Sequence, residues 1–281
     1  MNGDGFDDLV TQVGVVFGKA SGFPKTLNPH SVEGGDGFTF SSFLNWGASG
    51  IGDVNDDGID DLLIDNFVHF GHRAPFAASL DFYQVDGSNG FAFEVAEPEA
   101  TAGTKAGDVN GDGIGDFIVT QSYGGGPRSE VIFGSATPFP ANFDIATING
   151  SNGFTVTFEP IPTFADDQHF ADGAGDVNGD GLDDVLLGFG TFSAVIYGKR
   201  DSFPTQFDAS SLDAKDGFSI SKSSSGSGSS VSGSGDVNHD GFSDVIVVSD
   251  QKHMSSLVPA EALPSPRTEG PPLSPMSEAT S

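Results

Sequence analysis

A nine-residue pattern at 53–61, Asp53-Val54-Asn55-Asp56-Asp57-Gly58-Ile59-Asp60-Asp61, returns so regularly that the rest of the chain is spacing between its copies. Side-chain oxygens at positions 1, 3, 5 and 9 (Asp53, Asn55, Asp57, Asp61) and the main-chain carbonyl at position 7 (Ile59) make an all-oxygen set of the kind a hard cation takes. Gly58 at position 6 lets the chain turn sharply without a Cβ clash. Three further complete copies follow: Asp108, Asn110, Asp112 and Asp116 with the Ile114 carbonyl; Asp176, Asn178, Asp180 and Asp184 with Leu182; and Asp236, Asn238, Asp240 and Asp244 with Phe242. A truncated copy stands at 1–8, where Asn2, Asp4 and Asp8 hold positions 3, 5 and 9.

The twelfth position decides which calcium motif this is. An EF-hand places a bidentate Glu there, ahead of a helix. Here it is Ile64, Val119, Leu187 or Val247, inside apolar runs such as Leu62-Leu63-Ile64 and Val245-Ile246-Val247 that read as buried strands. The competing reading is an Asp/Asn/Gly turn that binds no ion, since those residues favour turns for their own reasons. Repetition of the position-9 aspartate, for which a turn has no evident use, favours calcium.

Composition narrows the class. The chain of 281 residues carries a formal net charge of -29, no cysteine, 40 glycines and 26 phenylalanines. Much glycine with short apolar runs predicts all-β structure with many tight turns, phenylalanine serving as core. The acidity argues against nucleic acid or an anionic membrane as partner and in favour of cations. Twelve of the 40 acidic residues are loop aspartates, three in each complete copy, so calcium would relieve a repulsion that opposes folding. Disulfides and thiolate chemistry are excluded. Met1-Asn2-Gly3-Asp4 has no signal-peptide pattern, and no apolar run is long enough to span a bilayer.

Between the loops runs a block of constant length. It starts at an aromatic-glycine mark (Phe17-Gly18, Phe70-Gly71, Phe133-Gly134, Tyr197-Gly198) and closes 21 residues after the mark's aromatic at Phe38, Phe91, Phe154 or Phe218. Aromatics recur six residues beyond each mark (Phe23, Phe76, Phe139, Phe203), and Leu27, Leu80, Phe143 or Phe207 ten beyond. Length varies only in the two other connections: Asp57 to Phe70 is 13 residues but Asp112 to Phe133 is 21. The period between position-5 aspartates is 53, 55, 68 and 60 residues, a size that suits four-stranded antiparallel blades of a β-propeller. The Ser/Gly run at 223–234 is read as ending in a strand that enters the last loop. From Gln251 the pattern stops, and 251–281, rich in Pro and Ser, reads as a disordered tail.

Gly-Asp-Val-Asn-x-Asp-Gly-x-x-Asp before an apolar strand resembles the FG-GAP repeat, the unit of the integrin α-subunit N-terminal propeller and of many bacterial surface proteins. The resemblance covers roughly 1–250 and is closest to the bacterial multi-repeat type. The Gly-Ala-Pro triplet is absent, Asp65-Asn66, Thr120-Gln121 and Gly188-Phe189 standing in its place. The resemblance implies a seven-bladed propeller with calcium loops between the first two strands of blades on one face. At about 60 residues a blade, seven need on the order of 400 residues. The expectation is therefore an open, partial propeller of about four to five blades, three full with a part at each end, a small closed ring being the alternative.

The six histidines (His30, His69, His72, His169, His239, His253) show no metal-ligand spacing, and no nucleophile-base pair or paired carboxylates stand out, so no enzyme is expected. Arg128 after Gly124-Gly125-Gly126-Pro127 lacks the ending and the helix of a phosphate loop and reads as a hairpin tip. The expected function is a calcium-binding module of a secreted or cell-surface protein, for adhesion or ligand presentation. A non-catalytic propeller fragment of a larger extracellular hydrolase is the alternative. Because connections alternate between the two ends of an antiparallel blade, both length-variable connections should fall opposite the calcium loops. A protein or carbohydrate ligand is expected there, around Ser122 to Arg128 and Ile161 to Asp172.

Overall fold

A computed structural model describes residues 1–44, 47–94, 101–123, 126–158, 169–189, 192–221, 229–249 and 256–257. The first repeat contributes β1 (Leu9–Thr11), β2 (Gly14–Val16) and β3 (Gly37–Phe40). The second contributes β4 (Ala48–Gly52), β5 (Asp61–Ile64), β6 (Phe67–His69), β7 (Ser79–Leu80) and β8 (Gly90–Glu94). From the third come β9 (Thr101–Gly107), β10 (Asp116–Tyr123), β11 (Gly126–Ile132), β12 (Asn142–Asp144) and β13 (Gly153–Thr157). The fourth supplies β14 (His169–Gly175), β15 (Asp184–Phe189), β16 (Phe192–Ile196), β17 (Gln206–Asp208) and β18 (Gly217–Ser221). The last holds β19 (Ser229–Gly235), β20 (Asp244–Ser249) and β21 (Ser256–Leu257).

The chain is all-β, as its composition predicts, and its described residues form five sheets. Their orders are β1-β2-β3-β7, β4-β5-β6-β8-β12, β9-β10-β11-β13-β17, β14-β15-β16-β18 and β19-β20-β21. Within each repeat the pairing is antiparallel; β7, β12 and β17 instead lie parallel on the outer edge of the preceding sheet, against β3, β8 and β13. The constant-length block therefore leaves its own sheet, adds an edge strand to its neighbour and returns. Its length is held by a fixed span across two sheets.

Successive sheets stack face to face, which accounts for the unbroken apolar runs after each loop: strands buried on both faces have no polar side. Leu62 and Ile64 pack on Phe38 and Phe40 of the first sheet, whereas Leu63 turns to Phe117 and Val119 of the third. Ile118 and Val131 meet Val185 and Leu187 of the fourth sheet, and Leu186 and Val195 meet Val245 and Val247 of the fifth. Phenylalanines fill these layers, as expected. Phe139 stacks on Phe91 at 4.6 Å and Phe203 on Phe154 at 4.7 Å.

Along one edge of the stack the strands that enter the loops come close. A Cβ on Gly173 would sit 2.9 Å from the Lys105 and Ala106 carbonyl oxygens of β9, so glycine sets the approach of β14. Side chains tie the same row: Ser232 Oγ and the Gly233 N–H both donate to Asp172 at 3.1 Å, and Thr104 Oγ1 donates to it at 3.3 Å.

Three short 3₁₀ turns inside the constant block (Pro29–Ser31, Ile145–Thr147, Ala209–Ser211) are capped by Asn28, Asp144 and Asp208, whose side chains accept the N–H two residues on. Ser256–Leu257, within the stretch expected to be disordered, pairs antiparallel with Ile246 and Val247 of β20. The other residues of 251–281, and 223–228, lie outside the described residues; β19 agrees with the strand expected before the last loop. No helix among the described residues is long and apolar enough to cross a membrane.

Candidate functional site: five aspartate loops at one end of the stack

Each complete copy connects the first strand of a repeat to the second: 53–61 between β4 and β5, 108–116 between β9 and β10, 176–184 between β14 and β15, 236–244 between β19 and β20. All five copies fold alike. Position 4 is left-handed in every one (Gly3, Asp56, Gly111, Gly179, His239), as is position 6 (Gly5, Gly58, Gly113, Gly181, Gly241). Left-handed backbone suits Gly and tolerates Asp, which explains their prevalence. His239, at position 4, is exposed.

Positions 1, 3 and 5 gather around one amide. The Asp57 N–H donates to Oδ1 of Asp53 and of Asn55, both at 3.1 Å, while Asn55 Nδ2 donates to Asp57 Oδ2 at 3.0 Å. Asp112 N–H finds Asp108 at 3.0 Å and Asn110 at 2.8 Å; Asp180 N–H finds Asp176 at 3.0 Å and Asn178 at 2.9 Å. In the last loop Asp240 N–H finds Asp236 at 3.1 Å and Asn238 at 2.8 Å. The second oxygen of the position-1 aspartate accepts the glycine N–H at position 6, as Asp53 does from Gly58 at 2.7 Å. Position 7 is bound into the loop by its own N–H, Ile59 to Asp57 at 2.9 Å and Leu182 to Asp180 at 3.0 Å.

Position 9 is built differently. Asp61, Asp116, Asp184 and Asp244 are buried. One oxygen accepts the N–H at position 2 (Val54, Val109, Val177, Val237) at 2.8–2.9 Å. In the first three of these loops the other accepts the glycine N–H of the aromatic-glycine mark (Gly71, Gly134, Gly198) at 2.8–2.9 Å. The truncated copy keeps the arrangement: Asp8 accepts from Gly18 at 2.9 Å, and the Met1 ammonium, standing at position 2, lies 3.3 Å from its other oxygen. The expectation that a turn has no use for this aspartate does not hold. It closes the loop and staples it to the second hairpin of its own sheet. The mark needs glycine because a Cβ on Gly198 would stand 2.5 Å from the Asp183 carbonyl oxygen.

Burial pushes the position-9 carboxyls up, Asp61 to about 7, Asp116 to about 8 and Asp184 to about 7, against the backbone N–H groups that hold them down. The other loop carboxylates push in the same direction as burial. Tyr197, the aromatic of the fourth mark, is raised to about 12 by burial and then by Asp184 and Asp180. Among the described residues the aspartates of the complete loops form no ion pair with Lys, Arg or His. Nor do any three acidic or histidine side chains there stand close enough to hold an ion by themselves.

Neighbouring loops are joined by a repeated ladder. The position-8 N–H of the third, fourth and fifth sheets donates to the position-1 carbonyl of the preceding one: Gly115 to Asp53 at 3.1 Å, Asp183 to Asp108 at 3.2 Å, Ser243 to Asp176 at 2.8 Å. The residue after the second, third and fourth marks donates to the position-2 carbonyl of the preceding sheet's loop: His72 to Met1 at 3.1 Å, Ser135 to Val54 and Lys199 to Val109, both at 2.9 Å. Asp183 adds a side-chain bond from the Asp108 N–H at 2.8 Å, and Arg73 and Arg200 reach the Gly3 and Gly111 carbonyls at 2.9 and 2.7 Å. Spacing alone gave no sign of this ladder, because each rung joins residues at least 60 positions apart.

His69 is a core residue, its Nε2 2.8 Å from the Phe82 carbonyl oxygen, and His72 stacks on Phe76 at 4.2 Å. The hairpins β5–β6, β10–β11 and β15–β16 turn at the end of the sheets away from the loops. Ser122–Tyr123 and Gly126–Arg128 are at that end, and β14 starts there at His169, so the described parts of both expected ligand segments lie opposite Asp57 and Asp112. Gly124, Gly125 and 161–168 lie outside the described residues. No protein-family model matches the chain, and no curated protein matches it.

Proposed function

We propose that the chain is a calcium-stabilised β-propeller segment of FG-GAP type from a secreted or cell-surface protein, serving adhesion or ligand presentation. The observation that carries this reading is the loop architecture of the four complete copies. Positions 1, 3 and 5 bring their oxygens round one amide, a buried carboxylate is fixed beside them, and no described cationic side chain pairs with any of these aspartates. Asp53, Asn55, Asp57, Asp61 and the Ile59 carbonyl would hold one ion, and the corresponding residues of the other loops one each. The ion supplies the positive charge that desolvated, mutually repelling carboxylates lack. Its work is architectural, since each loop joins two strands and touches the next sheet.

Sheets stacked face to face, with the loop-entering strands side by side along one edge, are units from which propeller blades are made. Five of them are in keeping with three full blades and a part blade at each end. Presentation of a protein or carbohydrate ligand falls to the opposite end, where the connections of variable length turn.

Calorimetric titration of chelator-treated protein tests the reading. About four sites with dissociation constants of about 0.1 to 1 mM are expected, the range of extracellular modules. Asp57→Ala and Asp240→Ala should each remove one site. Absence of binding at about 10 mM calcium, well above that range, would overturn it.

A further inference from the structure

Where a constant-length block crosses to the preceding sheet, the residues six and ten beyond its mark pack against the phenylalanine that closes the block before it. In the crossing from third sheet to second, Phe139 stacks on Phe91 at 4.6 Å, and Phe143 stands 5.9 Å from Phe91 and 6.1 Å from Phe139. In the crossing from fourth to third, Phe203 stacks on Phe154 at 4.7 Å, and Phe207 stands 5.3 Å from Phe154 and 6.4 Å from Phe203. Each crossing thus holds a group of three rings, and Phe139, Phe143, Phe203 and Phe207 are all buried.

The crossing from second sheet to first is packed otherwise. The third ring is missing, because Leu80 stands in the place of Phe143 and Phe207. Phe76 lies 5.7 Å from Phe38, farther than its counterparts from theirs, and leans toward Phe17 at 4.7 Å, where the corresponding pairs, Phe70 with Phe139 and Phe133 with Phe203, are 6.4 and 5.2 Å apart. At position 10, Leu62 stands where the next crossing has Phe117. The smaller side chains leave a cavity of about 160 Å³. Phe38, Leu62 and His69 line its buried side, and Phe76 and Leu80, half-buried here, its outer side. The lining is mostly apolar, and none of the proposed calcium ligands belongs to it.

We propose that this cavity binds a small neutral aromatic molecule, a single ring of benzene size, in the place that the side chains of Phe143 and Phe207 take at the next two crossings. The fold itself shows that a phenyl ring suits this position, since it seats one there twice. Volume agrees, because apolar cavities of about 150 Å³ take up benzene. Charge narrows the class further: a net charge of -29 repels an anion, and apolar walls return little to any charged ring for its lost hydration. The half-buried Phe76 and Leu80 leave the site within reach of solvent without unfolding.

Benzene is the probe, titrated into the full chain while the methyl resonances of Leu62 and Leu80 are followed by NMR. Both should shift saturably, with a dissociation constant of about 1 mM or below, within what so small a ligand can gain. The methyls of Val185 and Val245, which hold position 10 at the later crossings, should stay in place. Leu80→Phe supplies the missing ring. It should keep the spectral dispersion of the folded chain and weaken benzene binding about tenfold or more, read at Leu62, because the volume is already filled. Leu62→Phe, which copies Phe117, should do the same, read at Leu80, and decides the matter if Leu80→Phe does not fold. No saturable shift in the wild-type chain, shifts of equal size at Val185 and Val245, or a folded Leu80→Phe or Leu62→Phe variant that binds benzene as wild type does would each overturn the proposal.

Discussion

Asp57 and Asp61 stand four residues apart in one loop and are both proposed as ligands of the same ion, yet they do different work in the fold. Asp57 is exposed, whereas Asp61 is buried and accepts two N–H groups, from Val54 and Gly71. Leaving two buried donors without acceptors costs about 1–3 kcal/mol each, so Asp61→Ala should lower stability in chelator by roughly 2 kcal/mol or more. Asp57→Ala should change it by about 0.5 kcal/mol or less, in the way of ordinary surface substitutions. Urea unfolding of both variants in chelator decides the matter, and equal losses would show that position 9 has no separate structural role. Glu130 gives a pH test away from the loops. It is buried, and burial raises its carboxyl to about 7 although Arg128 Nε lies 2.8 Å from Oε1. A folded-state value above the unfolded one contributes stability that is present below about 4.5 and lost as pH rises through about 7. Glu130→Gln cannot ionise, so its urea midpoint should gain on wild type between about pH 5 and pH 8. A difference that is constant with pH would mean that the Arg128 contact, not burial, governs this group.

Elements show where sequence reading reaches and where it stops. The loops were legible because ligand offsets and left-handed turn positions are local: Gly58, Gly113, Gly181 and Gly241 all adopt the conformation their place in the motif requires. The apolar runs after them were legible as strands for the same reason. Constancy of the block beyond each mark was visible too, but not its cause, since β12 pairs with β8 of another repeat and Phe143 packs with Phe91 and Phe93 of that repeat. The double use of Asp61 was hidden because its second partner, Gly71, lies ten residues on and looks like part of a different motif. β21 was missed since two residues carry no periodicity. An insertion experiment follows from the fixed span. One glycine added between Ala141 and Asn142 would shift the β12–β8 register and turn Phe143 from the core, which should cost about 2 kcal/mol or more, the scale of a lost core side chain. One glycine added between Gly124 and Gly125, in a connection whose length already varies along the chain, should cost a few tenths. Similar drops in melting temperature for the two insertions would rule out the span as the reason for constant length. A second test concerns the ladder: Asp183 is at position 8, outside the proposed ligand set, yet it accepts the Asp108 N–H. Asp183→Ala should leave about four calcium sites in calorimetry while weakening the pair of loops it bridges by a factor of about 3–10, the size of one charge-assisted hydrogen bond shared between them.

On the scale of the whole molecule, a net charge of -29 on a stack of thin sheets makes self-repulsion a main term against folding, and much of that charge is collected at one end. Ions that bind only the folded state stabilise it by mass action: each site contributes about 1.4 kcal/mol when free calcium is tenfold above its dissociation constant. Four independent sites then supply at most about 6 kcal/mol, comparable to the whole stability of an ordinary domain. The melting temperature should therefore climb steadily with calcium through the millimolar range instead of saturating at trace levels. Magnesium carries the same charge but demands octahedral geometry and gives up its water reluctantly, so at matched concentration it should raise the melting temperature much less. General screening makes the opposite prediction, because ions of equal valence screen alike. Differential scanning calorimetry in matched calcium and magnesium separates the two: equal shifts would assign the stabilisation to screening, and a large calcium-specific shift that falls in steps with Asp57→Ala and Asp240→Ala would assign it to the loops.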